Sequence, residues 1–562
     1  MAESYLVLFD ADHIKEYVFA TGRLKEIRGA SERVRSITNS DPVKLRSGLT
    51  DWSSATGEGL IYAGGGAGAL LFKDQDRARS FCDDLERGYR HATRSATLTA
   101  VMIEVTGDAW HAQAQAAYEL SRRKAERRHA EAIPGGGAVR FCASDRRSPA
   151  SVRAPEPDQT AGMLVSESTA LKRQSSYRYR QSLKTSEFWQ AFQRYLSAGE
   201  RREWDAATAS SEDWSDAISV NQDLSHIGAQ AIPRGYVALV YADGDRIGST
   251  LKQIVKQHGF DGYQKLSAAL TKAANQATAW ALAAAYQGGP QPPDSSSLPD
   301  HPQRARRAWD PRPRFDPQTG RWRRFLPFEV ITIGGDDIIL ICTAEQGLQV
   351  AIELSRKFGE VVNQELRDQG LLPAEEQEQK LVSASVGVVI AHDSMPIVQL
   401  QRRGTDLLKS AKRRAAPGAG GIDFHIVTTP SLDRISTVRA QQYAAGPRVG
   451  GEKRQTELTG RPYSLATADT LLRHARRLAR VLPNSKRADL YAACRDDRIL
   501  ATLSVLAAHA RLRPDARLAL IEALRDLDSI AYYPFGPPDG DGVFHTALPD
   551  LLEVMEYCGE AT

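Results

Sequence analysis

The stretch LPFEVITIGGDDIILIC, residues 326–342, holds two apolar runs rich in Ile, Val and Leu on either side of Gly334-Gly335-Asp336-Asp337. Runs of this length bounded by glycine predict a hairpin with well-buried strands. Working outward, the apolar run Tyr236 to Tyr241 leads into Asp243-Gly244-Asp245, and LVSASVGVVIA at 381–391 reads as a further strand. Helical stretches are expected near 345–369 and 396–414, besides one between the first strand and the hairpin. The order is β-α-β-β-α-β, the ferredoxin-like arrangement in which helices cover one face of an antiparallel sheet.

The same order occurs earlier in the chain, and internal repetition decides architecture before local detail does. Tyr5 to Phe9 runs into Asp10-Ala11-Asp12, LIYAGGGAGALLF at 60–72 reads as a second hairpin, and TLTAVMIEV at 97–105 as a strand between helices near 75–91 and 110–130. Setting Tyr5 on Tyr236 places Asp12 on Asp243. The fold class expected is therefore α+β, with two ferredoxin-like palm domains side by side, the first over 1–134 and the second over 231–430. Between them, 135–230 is polar and rich in Gly, Ser and Pro, and is expected as linker with a small helical region. Residues 288–325, rich in Pro and Arg, read as a long exposed loop inserted in the second palm. Past 431, helical periodicity in LLRHARRLARVL, ILATLSVLAAHARL and ARLALIEALRDL predicts a C-terminal helical bundle.

Composition bounds the rest. Of 562 residues 42% are hydrophobic, enough for several cores. Lys plus Arg number 73 against 69 for Asp plus Glu, so a formal charge of +4 gives no global signal for nucleic acid. Five scattered cysteines exclude a disulfide framework and suggest no zinc site. With no secretory leader and no stretch of spanning length, a cytoplasmic location without membrane contact is expected.

Asp243, Asp336 and Asp337, brought together at a strand end and a hairpin turn, would form a carboxylate cluster suited to Mg²⁺ or Mn²⁺. Gly334 and Gly335 leave room for a triphosphate. Gly244, Asp245, Arg246, Ile247 and Gly248 open the next helix, whose free N–H groups can receive phosphate oxygens. No Walker-type lysine is present, so a cation is expected from LLKSAKRR, with Lys412 and, one turn earlier, Lys409.

These residues resemble a known family, the large polymerase-like subunit of type III CRISPR systems and its stand-alone palm relatives. The resemblance rests on FDADHIKEYVF at 9–19, KEIRGAS at 25–31, YADGDRIG at 241–248, LPFEVITIGGDDIILIC at 326–342, SVGVVIAHDSMP at 385–396, LLKSAK at 407–412 and LTGRPYSL at 458–465. It implies a nucleotidyl cyclase converting ATP to a cyclic oligoadenylate or related messenger with release of pyrophosphate, which then switches on a separate antiviral effector. Metals would sit on Asp243, Asp336 and Asp337, and two ATP molecules would meet between the palms.

The first palm departs from the pattern, since Gly64-Gly65-Gly66-Ala67 stands where the second has two aspartates. That turn, with Asp12, is expected to accept a nucleotide without a two-metal centre. The HD nuclease domain and zinc cluster of many relatives are not expected here. Two other readings stand beside the autonomous cyclase: a scaffold subunit binding guide and target RNA and CRISPR backbone proteins, active only with target RNA, and a GTP-using dinucleotide cyclase. Ile338-Ile339 after the turn argues against the last.

Overall fold

The computed structural model describes residues 4–126, 139–156, 159–183, 186–196, 218–219, 223–286, 314–316, 321–372, 382–414, 418–429, 433–445, 456–496, 498–527, 532–540 and 542–558. The chain is a mixed α+β protein built around two sheets. In the first, strand Gly59–Gly64 lies at one edge, followed by Ala67–Phe72, Tyr5–Ala11 and Leu98–Glu104, all antiparallel. In the second, Phe328–Gly334, Asp337–Thr343, Tyr236–Asp245 and Ser383–His392 repeat that order. Two more strands extend the second sheet: Gly421–Val427, parallel to Ser383–His392, and the short Tyr463–Ser464.

The central stretches of the second sheet's strands, such as 237–242, 338–342 and 386–391, are continuously apolar because both faces are buried. Ala238, Val240 and Ala242 join a core with the helices Ile247–Ala285 and Gly347–Asp368. The alternate residues Val237, Leu239 and Tyr241 join a core with Leu407 and Leu408 of helix Ile397–Arg414. This corrects the expectation of helices on one face only. The pattern at 381–391 read as continuous rather than alternating for this reason.

The two sheets exchange helices. From the first half, helix Leu24–Thr38 sends Ile27, Ala30 and Val34 into the core that holds Tyr241, Ile331 and Ile339 of the second sheet. From the second half, helix Ile247–Ala285 sends Val255 and Tyr263 against Leu6, Leu8 and Ile61 of the first sheet. That long helix breaks at Gly259, whose φ of 62° and ψ of −148° lie outside helical values. Val255 before the break and Tyr263 after it both face the first sheet, while Ile254 and the stretch from Leu266 onward join the core of the second.

A buried ion pair joins the halves. Arg28 Nε donates to Glu329 Oε1 at 2.5 Å, with both side chains almost wholly enclosed at 1% and 2% exposure. Both residues belong to motifs quoted above, KEIRGAS and LPFEV, so two separated motifs meet. The Tyr179 ring lies under the Arg28 guanidinium at 5.4 Å.

Tyr179 belongs to helix Glu167–Leu183, inside the stretch expected as linker. That stretch also carries a hairpin, Val152–Glu156 with Gln159–Val165, and helix Glu187–Tyr195, whose Phe188 and Phe192 pack on Phe328. Helix Glu167–Leu183 crosses Leu24–Thr38 so closely that a Cβ on Gly29 would fall 1.7 Å from the Lys172 carbonyl oxygen. Most of 288–325, including Trp309, lies outside the described residues. Its end is not loop, however: Arg314–Asp316 and Arg321–Phe325 pair as strands, the latter also with Ile218–Ser219.

The C-terminal part contains the helices Leu465–Val481, Asn484–Asp496, Arg498–Arg511, Pro514–Asp526 and Leu548–Met555. It also holds a small sheet of Ala444–Ala445, Thr456–Glu457 and Phe544–His545, which the sequence reading did not include. Arg461 ties it to the second sheet. Its guanidinium is enclosed between Phe424 and Tyr443, at 4.7 and 4.4 Å, and lies 2.9 Å from Asp550.

Removing one partner of a buried pair strands the other charge, which costs about 3–5 kcal/mol, whereas replacing both by apolar groups is close to neutral. Arg28→Ala is expected to lower stability by that amount in thermal or urea denaturation. Arg28→Met combined with Glu329→Leu is expected to recover most of the loss.

Candidate active site

The carboxylates gather where strand Tyr236–Asp245 meets the hairpin. Ile338 lies opposite Ala242 and Asp337 opposite Gly334, so Asp243 is one step beyond the last paired position and adjoins Asp337. Asp243 follows Tyr241 on one face of the strand. Gly244 turns to the other face, where an added Cβ would meet Asp336 Cβ at 2.9 Å. Glycine is therefore required at 244 to let the Asp336 side chain pass.

The three acids thus straddle the end of the sheet. On the Gly244 side, Asp336 lines a cavity of about 970 Å³ together with Tyr62, Gly64, Gly65, Ile247 and Gly335. On the Tyr241 side lie Asp243, Asp337 and two lysines. Lys412 Nζ donates to Asp243 Oδ2, and to the Gly244 carbonyl at 2.8 Å. Lys15, from the first half of the chain, sits 3.3 Å from Asp337 Oδ2 and also contacts the Tyr241 hydroxyl.

Burial and the nearby carboxylates act together on Asp336 and Asp337. The Asp336 carboxyl is pushed up to about 7, first by burial and then by the neighbouring Asp243. Asp337 is raised by burial, against the pull of Lys15. Tyr241 is held neutral by burial beside Asp337. Asp245 is raised by burial as well, although Ser383 and Ser385 donate to it at 2.8 and 2.9 Å. Those serines hold Asp245 against the neighbouring strand.

A divalent ion fits this chemistry. The donors are all carboxylate oxygens, which suit Mg²⁺ or Mn²⁺, and Asp337 Oδ1 is buried with no hydrogen-bond partner. Among the described residues no three His, Cys, Asp or Glu side chains are arranged to hold a metal by themselves. Mg²⁺ does not need three, since it is commonly held by one or two carboxylates with substrate phosphates supplying the rest.

The glycine turns of the two hairpins meet back to back. A Cβ built on Gly65 would lie 3.0 Å from Gly334 Cα, and one on Gly334 would lie 3.0 Å from Gly65 Cα. Gly65 and Gly335 also take the left-handed backbone, with φ of 62° and 66°. Both hairpins carry a bulge at the same place, between Leu60 and Tyr62 and between Val330 and Thr332.

This shared geometry corrects the alignment of the repeat by two residues. Counting from the turns, Ala67 corresponds to Asp337 and Gly68 to Ile338. Phe9 pairs with Gly68 as Ala242 pairs with Ile338, so Asp10 corresponds to Asp243 and Asp12 to Asp245. Side chains agree with this register. Thr97 and Thr99 donate to Asp12 as Ser383 and Ser385 donate to Asp245, and Lys124 binds Asp10 at 2.6 Å as Lys412 binds Asp243. His13 and Arg246 both take left-handed backbone, at φ of 50° and 60°. Matching the first tyrosine of each strand misled the sequence comparison, because the strands begin at different distances from their turns.

Asp12 is therefore a buried support of the strand, 6% exposed, and Asp10 is the outward acid of the first half. Gly64 and Gly65 line the cavity, while a Cβ on Gly66 would strike Ile14 at 2.9 Å. Ile247 begins its helix beside the cavity, with no side-chain cap from the exposed Arg246, and Gly248 is exposed. Lys409 is also exposed, and no ion pair joins it to the acids. Lys15, Tyr241, Asp10 and Lys124 were missed. Register counted from the glycine turns would have found Asp10, and the helix after each fourth strand would have found Lys124.

No helix among the described residues is long and apolar enough to cross a membrane. No curated protein sequence matches the chain. Among solved structures, Csm1 in T. onnurineus matches with a TM-score of 0.51 at 12% identity, over 100% of this chain and 70% of that one. A Csm1-Csm4 cassette in complex with cA4 matches with a TM-score of 0.52 at 12% identity, over 99% of this chain and 70% of that one. A Csm1-Csm4 cassette in complex with one ATP gives 0.51 at 12% identity, over 98% and 70%. Identity at this level speaks to fold alone. Within the chain, residues 236–417 match the family model of the Cas10/Cmr2 second palm domain, and the whole-chain fold that contains them is similar to that of Csm1 of type III CRISPR systems.

Proposed function

We propose that this protein is a nucleotidyl cyclase that joins ATP through its α-phosphate and releases pyrophosphate, giving a cyclic oligoadenylate or related messenger for antiviral signalling. Each sheet with its helices is read as a ferredoxin-like palm, the first over 1–134 and the second over 231–430, joined by 135–230 and followed by 431–562. The observation that carries the reading is the convergence of Asp243, Asp336 and Asp337 at one sheet end, with Asp336 lining a cavity of about 970 Å³ that both glycine turns border. A volume of this size accommodates nucleotide-sized ligands.

In this reading Asp243, Asp336 and Asp337 hold Mg²⁺ or Mn²⁺ together with triphosphate oxygens. Such ions activate a ribose hydroxyl and neutralise the departing pyrophosphate. Lys412, held by Asp243 and the Gly244 carbonyl, is the cation assigned to the triphosphate. The Gly65 and Gly335 turns leave their own part of the cavity wall without side chains, so a second nucleotide can approach from the first palm. The first palm keeps Asp10 and Lys124 but has Gly66 and Ala67 where the second has acids, which assigns it to holding a nucleotide rather than to metal chemistry. Solved Csm1-Csm4 cassettes in complex with cA4 and with one ATP favour adenine nucleotides over GTP. They also favour a Csm4-like subunit as a partner in an RNA-guided complex.

The test is incubation of the protein, alone and with its RNA-guided partners, with each nucleoside triphosphate and Mg²⁺ or Mn²⁺, with products read by mass spectrometry. Cyclic or linear oligoadenylate from the wild type, reduced at least about 100-fold in Asp336→Ala/Asp337→Ala, is expected. Equal product from the double variant would refute the site.

The raised Asp336 carboxyl gives a second expectation. A carboxyl raised above its unfolded value binds more protons in the folded state, so metal-free stability falls as pH rises from about 4 through 7. Asp336→Asn is therefore expected to raise the melting temperature in EDTA at pH 7.5 by a few degrees and to flatten its decline with pH. Mg²⁺ competes with that proton, so wild-type Mg²⁺ affinity, followed by calorimetry, should rise between pH 6 and 8 with proton release.

A further inference from the structure

The second palm's acids are balanced by one cation from each half of the chain. Lys412 comes from the second palm, whereas Lys15 arrives from the first, just past the left-handed turn at His13. Its ammonium is 3.3 Å from Asp337 Oδ2 and 4.8 Å from the centre of the Tyr241 ring. At 43% exposure its side chain retains freedom to swing, unlike a buried structural ion pair such as Arg28 with Glu329.

The repeat supplies an independent argument. By the register established above, the residue corresponding to Lys15 is Gly248, and the residue corresponding to Asp337 is Ala67. The first palm's turn therefore lacks both the acid and the lysine that would face it, while the second palm's turn has both. The lysine and the acid thus occur together at one turn and are both missing at the other.

Charge then decides what Lys15 does when the site fills. A divalent ion on Asp337 repels the ammonium and takes over its carboxylate partner. The strongest acceptors brought into the same space are triphosphate oxygens, and a lysine on a flexible stem is suited to binding them.

We propose that Lys15 is a phosphate-binding residue of the second palm's site, supplied across the interface by the first palm, and that it passes from Asp337 to the nucleotide triphosphate when metal binds. This rests on the cyclase reading only for the identity of the nucleotide. It also makes nucleotide binding depend on the fit of the two palms, because the lysine and the acids come from opposite sides of that interface.

The test uses the full chain, a non-hydrolysable ATP analogue and Mg²⁺, followed by calorimetry, with Mg²⁺ alone titrated in parallel. Lys15→Met is expected to weaken analogue binding by about tenfold or more while leaving Mg²⁺ binding alone unchanged or tighter. Lys15→Arg should restore most of the analogue affinity, and in turnover the loss should fall on KM more than on kcat. Unchanged analogue binding in Lys15→Met would overturn the proposal. So would parallel weakening of Mg²⁺ binding, which would make Lys15 a support for Asp337 only, or failure of the wild type to bind the analogue. If Lys15→Met does not fold, Lys15→Gln carries the same comparison. A wild type that binds the analogue but yields no oligonucleotide would defeat the cyclase reading and leave the Lys15 comparison intact.

Discussion

The contact between Gly65 and Gly334 governs how the two halves of this protein can be arranged. With Cβ positions on either glycine only 3.0 Å from the other's Cα, a side chain larger than hydrogen on one turn would press on the backbone of the other. Close backbone approach of this kind fixes the distance between the hairpins. It places Asp336 of the second hairpin at a cavity that Tyr62, Gly64 and Gly65 of the first hairpin also line. The reciprocal packing of helices Leu24–Thr38 and Ile247–Ala285, each on the opposite sheet, holds that distance from both sides.

The electrostatics of the site follow from the same packing. Burial and the neighbouring carboxylates disfavour ionisation of Asp336 and Asp337, and the fold sets a lysine from each half beside the acids. The buried Arg28–Glu329 pair shows the contrasting use of charge. It is sealed in the core, where it fixes the mating of the two halves, whereas the lysines beside the acids remain partly exposed. Two motifs that lie 301 positions apart thus serve one interface.

The first half repeats much of the side-chain arrangement of the second. Asp10 with Lys124, and Asp12 with its two threonines, repeat the side-chain arrangements of Asp243 with Lys412 and Asp245 with its two serines. What has gone is confined to the turn and to the residue that would face it from the other half. The asymmetry is therefore local, in a framework whose strand order and bulges match.

Much of this was written in the chain itself. Apolar runs around GGGA and GGDD, each preceded by a strand ending in Asp-x-Asp, determine two hairpins and name Asp243, Asp336, Asp337 and Lys412, because strand burial and turn chemistry depend on residues close in sequence. The strand Gly421–Val427 was missed although Ile422, Phe424 and Ile426 alternate with Asp423 and His425 at the strand period. The helices on both sheet faces, the partnership of Arg28 with Glu329 and the approach of Lys15 to Asp337 were settled only by tertiary structure. Each depends on how far apart two separately folded surfaces come to rest, and no local pattern encodes that distance. Register belongs to the same class: a two-residue difference in where the strands begin moved the counterpart of Asp243 from Asp12 to Asp10, and only hydrogen-bonded pairing across the sheet could reveal it.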